Sequence, residues 1–281
     1  MHWMRWKTGK VKGRSAVPSP DADFAHYWIA RGAVDGGDAW ELLTGGNTNE
    51  TWRVGNRIVK RFREGGETPI FGNDVQSERL ALKALKGTGL APELVDAKGD
   101  TVVYKRIDGH NWTPDDGVEM VAQALARLHA QPIPEALSDI DLRKDAMVRQ
   151  TLSMNGKVPR VPAELPPQKH VFLHGDATAS NVLVNEAGVT FIDWQCPARG
   201  DAASDLAIFL SPAMQAMAGN EPLCDEEVAG FLAAYGDATV TDRYVALQPL
   251  YSARMRAYCQ WRAARGDHGY GRLASLEKGA G

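Results

Sequence analysis

Nothing in this chain of 281 residues is built for a membrane, for nucleic acid or for a disulfide framework. No apolar run reaches the roughly 20 residues that a membrane-spanning helix needs. The formal charge is −3 and no long block of like charge interrupts the body of the chain, so no nucleic-acid partner is expected. Only three cysteines occur, Cys196, Cys224 and Cys259, odd in number and too widely spaced for a zinc-type pair. That usage fits a cytoplasmic protein with reduced thiols. No G-x-x-x-x-G-K-[ST] stretch is present, which removes the P-loop enzymes. Internal repeats and low-complexity segments are missing too. Met1 to Pro20 carries five Lys or Arg side chains and no acid, but it lacks the apolar core of a signal peptide and reads as a flexible leader.

What is present is a hydrophobic content of 44%, enough for one large domain or two lobes, and one concentrated group of polar residues. Val171-Phe172-Leu173 reads as a short buried strand that delivers His174, Gly175 and Asp176 onto a loop. Asn181 follows five residues after Asp176, directly before Val182-Leu183-Val184. The turn Asn185 to Gly188 then leads into Val189 to Ile192, and Asp193-Trp194 closes the segment. This pattern is a hairpin with Asn181 at the entrance of one strand and Asp193 at the exit of the next. Two oxygen-bearing side chains so placed can converge on a hard cation such as magnesium. A carboxylate on the preceding loop, Asp176, can then orient an attacking hydroxyl and accept its proton. His174 reads as a brace for the loop.

H-G-D-x-x-x-x-N followed by I-D-W resembles the catalytic signature of the aminoglycoside phosphotransferase and choline kinase family. The resemblance implies an α+β, two-lobed protein-kinase-like fold, with a small antiparallel-sheet N-lobe holding one helix and a larger, mostly helical C-lobe. It implies Asp176 as the catalytic aspartate, Asn181 and Asp193 as magnesium ligands, and Asp205 in Ser204-Asp205-Leu206-Ala207 as a structural aspartate. ATP and Mg²⁺ follow as donor and metal.

Such a fold requires an ATP-binding half upstream, and its parts occur in order. Gly45, Gly46, Asn47, Thr48 and Asn49, ahead of Thr51-Trp52-Arg53-Val54, resemble the family's G-G-x-x-N loop over the phosphates. Alone, the segment would read as an ordinary hairpin. Lys60, amid apolar residues of Arg57 to Phe62, needs negative charge nearby; Glu78, early in the next helix, is its natural partner. Arg61 falls on the opposite face of the strand. Tyr104, Lys105 and Arg106 occupy the position of the hinge, whose backbone groups bind the adenine edge in the family. The expected layout is a leader and short helix over 1–35, an N-lobe over 36–107 with its hinge near 103–107, and a C-lobe over 108–281.

Val121, Leu125 and Leu128 mark a helix limited by Pro132, with His129 structural, and Pro159, Pro162, Pro166 and Pro167 mark a connector. From Tyr244 onward, Leu247, Leu250, Tyr251, Met255, Tyr258 and Trp261 recur at helical spacing. Most are core. Tyr251, Tyr258 and Trp261 are candidates to hold an acceptor's ammonium on aromatic faces, and Arg254 or Arg256 would suit an anionic or neutral hydroxylated molecule. Residues 241 to 281 hold seven Lys or Arg against three Asp or Glu, the reverse of what a polycationic aminoglycoside wants. The expectation is therefore transfer of the γ-phosphoryl group to an endogenous small-molecule alcohol, choline-like or amino-alcohol-like, with an aminoglycoside as the alternative acceptor. The tryptophan at 194 also resembles the bacterial choline-kinase-like branch. A protein kinase is disfavoured because only eleven residues separate Asp193 from Asp205, too few for a peptide-binding activation segment. A non-catalytic scaffold is disfavoured because Lys60, Asp176, Asn181 and Asp193 are all retained.

Overall fold

The computed structural model describes residues 20–43 and 48–277. The basic leader and the glycines at 45 and 46, with Asn47, lie outside the described residues.

The N-lobe is a five-stranded antiparallel sheet in the order β1-β2-β3-β5-β4, formed by β1 (Trp40–Leu42), β2 (Glu50–Val54), β3 (Arg57–Arg61), β4 (Leu94–Lys98) and β5 (Thr101–Lys105). Strand alternation separates two faces. Trp52, Val54, Val59 and Val103 face outward, where they pack with Trp28 of helix α1 (Ala22–Ala30). This helix, expected as part of the leader, is thus an element of the N-lobe. Ile58, Val102 and Tyr104 face inward, into the main core with Ala81 and Leu82 of α2 (Val75–Ala84). Asp74 caps α2 by accepting from the backbone N–H groups of Gln76 and Ser77, which fixes the start of the helix that carries Glu78.

The C-lobe begins with β6 (His110–Asn111) and α3 (Val118–His129), continues through α4 (Lys144–Ser153) and reaches β7 (His170–Leu173) by the proline-bearing connector. The hairpin β8 (Val182–Asn185) and β9 (Gly188–Phe191) pairs with β6, while β10 (Ala198–Asp201) returns antiparallel to β7. Leu173 pairs with Ala198, so both ends of the 174–197 segment are held together. The remaining elements are α5 (Ala203–Phe209), α6 (Pro212–Ala218), α7 (Asp225–Tyr235), the 26-residue α8 (Ala238–Ala263) and α9 (Gly269–Ala274). Among the described residues, no helix is long and apolar enough to cross a membrane.

Gly175 shows how tightly the loop is set. Its φ is +79°, and an added Cβ would lie 2.0 Å from the carbonyl oxygen of Cys196. Backbone cannot yield as a flexible side chain can. Gly175→Ala should therefore cost more than about 1 kcal/mol and depress activity, which a denaturation curve and a rate assay will show together.

Candidate active site

Strand β7 ends in His174-Gly175-Asp176, and the loop is held from behind by Asp205. One carboxylate oxygen accepts from the His174 backbone N–H at 2.7 Å, the other from that of Gly175 at 2.9 Å. His129 Nε2 donates to the same carboxylate at 3.1 Å, since a carboxylate can only accept, and its Nδ1 meets the Tyr235 hydroxyl at 2.8 Å. Burial disfavours the charged form of Asp205, but the hydrogen bonds from His129 and from the loop backbone outweigh it and hold the carboxyl below its ordinary range. The sign for stability follows. A depressed folded pKa means that Asp205 contributes fully above its unfolded value of about 4 and loses that contribution as pH falls through the lower folded value. Asp205→Asn should thus remove an increment of stability at pH 7 and flatten the acid limb, as thermal unfolding between about pH 3 and 7 will reveal.

His174 is fully buried. Its Nε2 donates to the Ile192 carbonyl at 3.1 Å and its Nδ1 accepts from the Asp176 N–H at 3.2 Å, so one neutral tautomer satisfies both bonds. Burial also lowers its pKa. The imidazole ties the Asp176 loop to the strand that leads to Asp193, and the Trp194 ring packs on it at 4.4 Å. Trp194 itself is fully buried and donates to the Phe191 carbonyl, a structural placement.

Asp176, Asn181, Asp193 and Lys60 all line one open cleft of about 170 Å³. Asn181 sits on a short 3-10 turn, Ala179–Asn181, and its Nδ2 donates to the Asp176 carbonyl at 2.9 Å and to its carboxylate at 3.1 Å. That orientation leaves the amide Oδ1 outside both of these bonds. Burial, aided by the Asp193 charge, pushes the Asp176 carboxyl well above its ordinary value. Asp193 adopts a left-handed backbone, φ +63°, a conformation aspartate tolerates better than most residues.

Lys60 is only 3% exposed and lies between two carboxylates. Its Nζ is 2.5 Å from Glu78 Oε2, and it also donates to Asp193. Burial disfavours this ammonium; Asp193 and Glu78 outweigh burial and hold its pKa well above the ordinary lysine value. Arg61 points the other way, toward Asp100 and the Phe24 ring.

At the expected hinge, two backbone donors are already engaged. The backbone N–H of Lys105 donates to the Glu93 carbonyl at 2.9 Å and that of Arg106 to the Asn56 carbonyl at 3.0 Å, so neither is free for an adenine edge. Their side chains pair with Glu93 and Asp108. Tyr104 turns its ring into the core, where it feels the charges of Glu78 and Lys60. Of the expected phosphate-loop residues, Thr48 lines the cleft, while the Asn49 side chain is engaged by Asn73, by Gln195 at 3.0 Å and by the Arg63 N–H.

A correction concerns the acceptor candidates. Tyr258 lines the cleft; Tyr251, Trp261 and Arg254 do not. Tyr251 is buried beside Tyr244 around a separate small cavity, and Trp261 stacks behind Tyr258 with the Arg265 guanidinium over its ring. Arg254 is buried and bonded to Gln150. Arg256 is engaged by the Glu277 carbonyl. The cleft gains instead Phe71, Met214, Met217, Arg262 and Tyr270, which sequence reading missed. Arg262 is four residues beyond Tyr258, one turn along the same helix face, and that spacing was the available signal. Its guanidinium lies 5.0 Å from the Tyr270 ring centroid and pairs with Asp267 at 2.7 Å.

The donor set can be tested for magnesium. Among the described residues no three His, Cys, Asp or Glu side chains gather into a cage. Asn181 and Asp193 would offer two hard oxygen atoms beside a lysine and an open cleft, a donor set that fits an ion completing its shell with phosphate oxygens and water.

A sequence model of the phosphotransferase enzyme family matches residues 39–250. The chain belongs to this family. A choline/ethanolamine kinase family protein from Mesorhizobium loti has the same fold at a TM-score of 0.65 and 16% identity, over 91% of this chain and 94% of that one. Choline kinase LicA from Streptococcus pneumoniae matches at a TM-score of 0.62 and 17% identity, over 90% and 97%. The GDP complex of aminoglycoside 2′-phosphotransferase-IIIa matches at a TM-score of 0.67 and 15% identity, over 92% and 99%. A comparison with curated proteins yields no match. The protein-kinase-like fold of this phosphotransferase is thus shared with enzymes of both branches, and the acceptor is not given by the fold.

Proposed function

We propose that this phosphotransferase moves the γ-phosphoryl group of ATP to a hydroxyl of a small molecule, with Asp176 facing the acceptor and Lys60 facing the phosphates. The observation that carries the reading is the convergence of Asp176, Asn181, Asp193 and Lys60 on one cleft. Asp176 orients the acceptor hydroxyl and takes up its proton as the new P–O bond forms and the bond to ADP breaks, without a phosphoenzyme. Asn181 holds the Asp176 carboxylate in place through Nδ2. Glu78 keeps Lys60 extended toward the cleft. When bound, magnesium held by Asn181 and Asp193 supplies charge neutralisation at the phosphate oxygens. Thr48, which lines the same cleft, faces the phosphates.

For the acceptor, the cleft favours an amino-alcohol-like or neutral alcohol over an aminoglycoside. Among the described residues its lining holds no carboxylate beyond Asp176 and Asp193, and it does hold Arg262. A polycation needs several acidic partners there. A single ammonium meets the Arg262–Asp267 pair, which is neutral as a unit, and finds the Tyr258 and Phe71 rings, 5.2 Å apart. An ADP-release screen over amino alcohols, aminoglycosides, sugars and vitamins decides between them. Turnover of an amino alcohol supports this reading, and efficient turnover of kanamycin-like compounds overturns the electrostatic part of it.

A further inference from the structure

Behind the catalytic loop lies a second cavity, of about 240 Å³, on the far side of Gly72 and Gln195, which line both it and the catalytic cleft. Its walls are apolar: Ile70, Ile140, Leu142, Leu173 and Ile208. One cation lines it, Arg254 of α8, which is 6% exposed. Among the described residues this guanidinium has no carboxylate within ion-pair distance; its Nε donates to the neutral Gln150 side chain.

That is an expensive arrangement. Buried charges ordinarily carry a counter-charge, and here burial lowers the Arg254 pKa to about 10. The acids of the same cavity are committed elsewhere. Asp74 caps α2 and accepts from the Ser77 hydroxyl at 2.6 Å; Asp139 is 71% exposed on its side chain and pairs with Arg199 at 3.3 Å. The Ser138 and Ser204 side chains add polar groups to the wall. The set lacks a single counter-ion.

We propose that this cavity is a binding site for a small amphipathic monoanion, a carboxylate seated on Arg254 with a branched or aromatic body against Ile140, Leu142 and Ile208. A planar guanidinium matches a carboxylate by paired hydrogen bonds, whereas a phosphate dianion would need further cationic donors that the apolar walls do not offer. Gly175 lines the cavity, and Ser204 precedes the Asp205 that anchors the loop, so an occupant touches the back of the catalytic loop without entering the catalytic cleft. The site is independent of the acceptor reading, because it is tested by binding.

Calorimetric titration of the full chain with 3-phenylpropionate and 4-methylpentanoate, against 3-phenylpropionamide and inorganic phosphate, tests it. The carboxylates should bind at least about tenfold more tightly than the amide or phosphate, the worth of a charged hydrogen-bonded contact. Arg254→Gln should weaken them by a similar factor, while Arg262→Gln leaves them unchanged. Ile140→Trp, which fills the cavity and spares Arg254, should also abolish binding; it decides the matter if Arg254→Gln does not fold. Absence of carboxylate binding, binding indifferent to both Arg254→Gln and Ile140→Trp, or binding lost in Arg262→Gln, which would place the ligand in the catalytic cleft, overturns the proposal.

Discussion

Replacement of Asp176 by asparagine should lower turnover by roughly 10²- to 10⁴-fold, the usual contribution of a positioned acid or base, and leave nucleotide affinity nearly intact. Asparagine is close to isosteric and its Oδ1 can still accept from Asn181, so the loop keeps its shape. What it lacks is the ability to take the hydroxyl proton. Because the carboxylate is aimed by Asn181 and the loop by His174 and Asp205, the loss should appear in kcat, with the acceptor's KM little changed. Steady-state kinetics with the best acceptor from the screen, with ATP affinity measured separately, make the comparison. Turnover within about threefold of the parent would show that another group takes the proton.

Lys60→Met should be the most damaging single change to stability near the cleft. It leaves Glu78, 1% exposed, without its counter-charge: Lys60 is bonded to Oε2, and among the described residues Oε1 has no hydrogen-bond partner. Removing one partner of a buried pair typically costs about 3–5 kcal/mol. The neighbouring Asp193 is half-buried and can recover water, so the penalty falls on Glu78. Adding Glu78→Leu to Lys60→Met should regain most of the stability, because a buried ion pair exchanged for apolar side chains of similar size is often neutral or better. Activity should stay lost. Chemical denaturation of the single and double variants separates the two effects; a double variant no more stable than Lys60→Met would contradict the pairing.

The parts of the site that the sequence discloses are those whose chemistry is local or whose spacing is short. Val171 to Trp194 reads as strand, loop and hairpin from turn residues and apolar runs alone, and the structure folds it as β7, the 174–181 loop and β8–β9. Lys60 is legible because a lysine in an apolar strand demands a partner, and the next helix offers Glu78 early in its first turns. The acceptor side is not legible in the same way. Helical spacing places Tyr251 and Tyr258 on one face of α8, but seven residues advance about 10 Å along a helix, enough to move one ring to a different cavity. Phe71, Met214 and Tyr270 reach the cleft from three separate segments, and no local pattern brings them together. The hinge is legible by position only: whether the N–H groups of Lys105 and Arg106 are free depends on Glu93 and Asn56, partners set by the strands on either side of β5. The short strands β6 and β10 gave no apolar signal because His110-Asn111 and Ala198 to Asp201 are mostly polar or small.

The most direct test of the account is a crystal structure with magnesium and a non-hydrolysable ATP analogue. It should show an ion bound by Asn181 Oδ1 and an Asp193 carboxylate oxygen at about 2.0–2.1 Å, with the γ-phosphate between Lys60 and Asp176. An ion held away from both ligands, or a triphosphate whose terminal phosphorus points out of the cleft from Asp176, would contradict the assignment of this site.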